Sequence, residues 1–99
     1  MNLYARQGDL VIDKLASPIT GELLPARNVI LAGDHSGHTH TLKGKCLLRT
    51  EGRRHFVRIE KKTRIEHAGD HNTIELAPGD YELRPLRERG DASDRAVDD

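Results

Sequence analysis

The sequence has one cysteine, no tryptophan, and only three aromatic residues in 99 positions. The single thiol, Cys46, rules out a disulfide within one chain, so no cystine can staple a core this small. A lone cysteine fits a reducing cytoplasm, and the first residues, Met1 to Arg6, lack the apolar stretch of a secretory signal. No apolar run approaches the length of a bilayer, so a soluble protein with no membrane partner is expected. Tyr4, Phe56 and Tyr81 are too few and too scattered to make the stacking platform of a single-stranded nucleic-acid binder. An excess of charge is also lacking, because sixteen Lys and Arg offset sixteen Asp and Glu. Net charge therefore gives no argument for nucleic acid or membrane as the main partner.

The balance conceals a division along the chain. Asp91, Asp94, Asp98 and Asp99 make the end acidic, which leaves the rest mildly basic. The division predicts a single domain over residues 1–88 and a polar, acidic, disordered tail over residues 89–99. A core built from roughly 85 residues is marginal and gains from a metal or from association with another copy.

Helical periodicity is missing as well. The apolar residues come in short runs of period two, separated by turn residues. Asp9–Leu15 reads as a strand, and Val29-Ile30-Leu31 as the centre of a second. His38, His40 and Leu42 share one face of a third, which Gly44 ends before the next apolar stretch at Cys46-Leu47-Leu48. Beyond the turn at Glu51–Arg54, Val57 and Ile59 share a face. Ile65 and His67 do the same after the turn at Glu60–Thr63. Ile74 and Leu76 lead to a turn at Pro78-Gly79-Asp80 and a closing strand with Tyr81 and Leu83. Helix is expected only as one turn over Thr20–Leu24 and as transient structure over Pro85–Val97. The fold class is all-β, a small barrel or sandwich of seven or eight short strands.

Histidine is plentiful where cysteine is not. Five of the six fall in two clusters, Gly33-Asp34-His35-Ser36-Gly37-His38-Thr39-His40 and Glu66-His67-Ala68-Gly69-Asp70-His71. Neutral imidazole is the commonest protein ligand for transition metals. Two histidines at i and i+2 on one strand can hold an ion when a neighbouring strand supplies a third donor. The candidate metal ligands are therefore His38, His40, His67 and His71, for a divalent ion among Zn, Ni, Mn, Fe and Cu. An open position on such an ion activates water, with Glu66, Asp34 or Asp70 as base; metal-assisted hydrolysis is then the reaction, on an unidentified small-molecule substrate. Against this stands a second reading of the same residues. Inward histidines bonded to carboxylates or backbone carbonyls rigidify a small core without any metal.

Other signals are weaker. The basic hairpin of residues 53–64, with Arg53, Arg54, Arg58, Lys61, Lys62 and Arg64, offers phosphate contacts or simply a solvated face. Cys46 reads as a buried inert thiol, and His55 as an exposed turn residue.

Gly37-His38-Thr39-His40, followed by Glu66-His67 and by His71 with Ile74-Glu75-Leu76-Ala77-Pro78-Gly79-Asp80-Tyr81, resembles a family of small β proteins of bacteria and their phages. That family shares a G-H-x-H element and a later H-x-x-I-x-L-x-P-G-x-Y element, and the opening Gln7-Gly8-Asp9 also fits. The resemblance spans about Gln7 to Arg87 and implies no particular activity. Cupins share the HxH element and a later P-x-G turn. The glutamate that follows HxH in cupins has no counterpart in Thr41-Leu42-Lys43-Gly44-Lys45, and Pro78-Gly79 follows His71 instead of preceding the last ligand.

The leading expectation is a metal-binding β domain, reaction unknown. The alternatives are a structural or assembly protein, homo-oligomeric and of the kind a phage resemblance implies, with structural histidines, and a nucleic-acid-binding module using the 53–64 hairpin.

Overall fold

A computed structural model describes residues 2–32, 39–68 and 73–85. Eight strands follow in chain order: β1 (Asn2–Gln7), β2 (Leu10–Lys14), β3 (Leu24–Ala32), β4 (Thr39–Glu51), β5 (Arg54–Ile59), β6 (Thr63–His67), β7 (Ile74–Leu76) and β8 (Gly79–Pro85). All pairings are antiparallel, and they form one sheet in the order β1-β2-β8-β5-β4-β6-β7, with β3 paired to β4. The all-β expectation holds, and the strand count lies at its upper end.

The long β4 gives the sheet its shape. Its second half pairs with β5 and its first half with β6, while β3 runs along its other side. Gly44 was expected to end a strand, but it bends one instead. Its φ of 79° suits a residue without a side chain. Opposite it, the register of β3 slips between Arg27 and Val29, where Asn28 takes a φ of 52° and its side-chain oxygen accepts the Gly44 N–H at 2.8 Å. A bulge on one strand and a glycine on the other turn the hairpin so that the sheet curls on itself.

Curling brings the two ends of the sheet together. No backbone ladder joins β1 to β6 or β7 among the described residues; side chains make the seam. The Tyr4 hydroxyl donates to the Glu75 carbonyl at 3.0 Å, and the Gln7 amide nitrogen donates to the Ile65 carbonyl at 2.8 Å. The barrel is thus nearly closed. β1 had not been legible as a strand.

Alternation fills the interior. Leu10 and Ile12, Leu31, Leu42 and Cys46, Val57 and Ile59, Ile65, Leu76, Tyr81 and Leu83 form one buried cluster. Cys46 is buried as expected, and burial raises its pKa, which keeps the thiol protonated and inert. Tyr81 is buried too, and desolvation, aided by Tyr4, pushes its phenol up to about 12; its hydroxyl donates to the Ala77 carbonyl at 2.7 Å.

The link from Leu15 to Leu23 contains no helical turn, in contrast to the expectation for Thr20–Leu24. Polar clamps fasten it where a helix would have needed periodicity it lacks. Asp80 accepts the Ile19 N–H at 2.7 Å and receives a forked pair from Arg58 at 2.9 and 3.0 Å. Arg58 also donates to the Ile19 carbonyl, and Arg49 to the Thr20 carbonyl. Gly79 and Asp80, read as turn residues, open β8. The tail boundary at residue 89 and the transient helix beyond Pro85 fall outside the described residues.

Candidate functional site

His40 and His67 face each other as a cross-strand pair between β4 and β6. The period-two argument placed both on inward faces, and both strands continue inward through Leu42 and Ile65. The rings stack, with centroids 4.3 Å apart and planes 8° from parallel. Leu31 pairs with His40 from the other side.

His40 is fully buried. Its Nδ1 lies 2.7 Å from Gln7 Oε1 and its Nε2 lies 3.1 Å from Asp9 Oδ1. The Gln7 amide cannot be turned round, because its nitrogen is committed to the Ile65 carbonyl. Gln7 therefore offers His40 an acceptor, and Nδ1 must donate. Asp9 offers an oxygen to Nε2 as well. Through these two contacts the His40 ring ties β4 to both sides of the β1–β2 turn.

Gly8 makes the approach possible. Its φ is 57°, and a Cβ there would lie 2.9 Å from His67 Cε1 and 3.6 Å from His40 Cε1. The turn backbone therefore packs directly against the ring stack, where only glycine fits. Beside it, Asp9, Leu10, Leu31, Arg53, His55 and Arg84 line a hollow of about 30 Å³, room for one water molecule.

His55 departs from its expected place. It lies in β5 opposite Leu83, half-buried, with Nδ1 at 3.1 Å from the Thr50 hydroxyl, and desolvation lowers its pKa. Glu66 lies on the outward side, as the alternation required, and pairs with Arg64 at 2.6 Å. The Arg64 hydrogen bond holds its carboxyl below the ordinary carboxylate range.

Of the four histidines read as metal ligands, the structure brings His40 and His67 together. His38 and His71 lie outside the described residues, as do Asp34, His35 and Asp70. Among the described residues no group of three His, Cys, Asp or Glu side chains gathers as an ion would require. A metal binds an imidazole nitrogen that carries no proton, and both nitrogens of His40 face oxygen acceptors. Stacked rings also direct their lone pairs along parallel planes, whereas two ligands of one ion converge.

Over residues 6–85 the chain matches a family described as Domain of unknown function (DUF8820). It belongs to that family. The match begins just before Gln7 and ends with β8, so it contains the Gln7 contact of the seam, the histidine pair and the Asp80 clamp, while Tyr4 precedes it. No curated protein and no solved structure matches the chain.

The cations of the 53–64 hairpin are largely engaged. Arg54 pairs with Glu82 at 3.4 Å, Arg58 with Asp80, Lys62 with Glu75 at 3.8 Å and Arg64 with Glu66. Sequence reasoning missed Gln7 and Asp9. Their only local signal was the Gln7-Gly8-Asp9 turn, and nothing local tied it to a histidine more than thirty residues away.

Proposed function

We propose that this DUF8820 domain is a non-catalytic binding and assembly module whose buried histidine is architectural. The observation that carries the reading is the double engagement of His40, buried with Nδ1 on Gln7 and Nε2 on Asp9. Such a ring has neither a free lone pair for a metal nor access to a substrate. What it does have is a position at the seam, where its bonds replace the ladder that a fully closed barrel would have.

The outer surface supports assembly. β3 pairs only with β4 among the described residues, and it exposes Leu24 and Ile30, at 60% and 66%. An edge strand with exposed apolar residues is a template for another chain, and a homo-oligomer would add burial to a small core. No helix among the described residues is long and apolar enough to cross a membrane. The lone buried thiol agrees with a reducing cytoplasm.

A metal reading remains for His67, with His38 and His71 supplying the other nitrogens and His40 backing the ring of His67. One experiment separates the two. Tag-free protein is stripped with a chelator, and its melting temperature and sedimentation are followed on adding Zn, Ni, Mn, Fe or Cu. The architectural reading predicts an unchanged melting temperature and an oligomer independent of metal. Stoichiometric binding that raises the melting temperature, and that His67→Ala abolishes, would replace it with the metal reading.

A further inference from the structure

We propose that the outward face of the β3–β4 hairpin, through Arg27, Lys43 and Lys45, is a docking surface for the phosphate backbone of nucleic acid. The proposal names a partner class for the binding module above and rests on that reading. Strand alternation puts all three cations on the outer face, since Leu42, Cys46 and Leu48 point inward. Arg27 and Lys45 are direct cross-strand partners, and both are exposed.

Like charges placed opposite each other destabilise a sheet. Elsewhere in the sheet the cations are handled differently, because Arg49, Arg54, Arg58, Arg64 and Arg84 all have carboxylates within 4 Å. Among the described residues, no carboxylate lies within that distance of Arg27 or Lys45. Glu66 lies close enough to Lys43 to feel its charge, but its oxygen is bonded to Arg64. The bulge at Asn28 and Gly44 holds this uncompensated strip at the outside of the bend.

A phosphate ester is the partner that relieves such repulsion. The Arg27 guanidinium offers a forked pair of donors, and the two lysines offer point charges along the same strand. An acidic protein is a poorer match, because the strip has no aromatic anchor of the kind that carries protein interfaces. The face reads no bases, so recognition is independent of sequence.

The test is fluorescence anisotropy of a labelled mixed-sequence DNA duplex with the full chain in low salt. Three phosphate contacts predict a slope of log K against log salt of about −3. Lys45→Glu should weaken binding at least about tenfold, and Lys45→Ala should reduce the slope by about 1 in magnitude. Because Lys45→Glu converts a repulsive pair into an attractive one, its melting temperature should hold or rise. Arg6→Glu, an equal charge change on β1, should lose much less affinity. Absence of binding in low salt, or equal losses for Arg6→Glu and Lys45→Glu, would overturn the proposal. So would an acidic polypeptide competing at matched charge. Any of these results would leave the architectural role of His40 standing, since that is read from metal and stability.

Discussion

His40 and His67 lie directly opposite each other on β4 and β6 with their rings stacked at 4.3 Å, and the turn that begins at Gly8 packs against the edge of that stack. The pair is therefore both a cross-strand contact and the floor on which the β1–β2 hairpin rests. Its chemistry follows from the hairpin as much as from the rings.

Gly8→Ala should be strongly destabilising. The new Cβ would meet His67 Cε1 at 2.9 Å while the backbone stays at a φ of 57°. Together these cost about 2–3 kcal/mol. In a double-mutant cycle, His67→Ala should recover the steric part and leave the backbone part, which chemical denaturation will show as non-additivity.

Gln7→Leu removes an acceptor from His40 Nδ1 and a donor from the Ile65 carbonyl at once. Both groups are left buried, so the expected loss is about 3 kcal/mol. Gln7→Glu keeps an acceptor for His40 Nδ1 but, as a carboxylate, sets a second acceptor against the Ile65 carbonyl in place of the donor. Its midpoint in urea should fall between those of Gln7→Leu and the native protein.

The Arg58–Asp80 clamp predicts a dependence on acid. The hydrogen bond from Arg58, together with the Ile19 N–H, lowers the Asp80 pKa below its ordinary 3.8. The folded state then binds this proton less readily than the unfolded one. Its stabilisation is complete above the unfolded value and disappears as pH falls through the folded one. Asp80→Asn should be less stable than the native chain at pH 7, by about 2 kcal/mol. The gap should narrow as the pH is lowered below 4, read from denaturant midpoints across the series.

Much of the fold was legible because alternation is a local property. His40 with Leu42 and Ile65 with His67 declared their inward faces from spacing two, and the only condition left open was whether their strands were neighbours. They are. Gly44 misled because a glycine within a strand pattern marks either an end or a bend, and the choice depended on Asn28, sixteen residues away. Gln7 was invisible for a similar reason, since its bonds reach across the seam to Ile65 and His40. The 53–64 hairpin looked basic in sequence, but the carboxylates beside it come from β6, β7 and β8. Charge in a sheet is balanced across strands, which a linear reading does not follow.

The most direct test is to record the side-chain nitrogen and proton resonances of His40 in isotopically labelled protein near neutral pH, before and after addition of zinc. Engagement of both ring nitrogens by the Gln7 and Asp9 oxygens predicts protons on both Nδ1 and Nε2, slow exchange of both with water, and no change when zinc is added. An unprotonated ring nitrogen that shifts stoichiometrically on zinc addition would contradict the account.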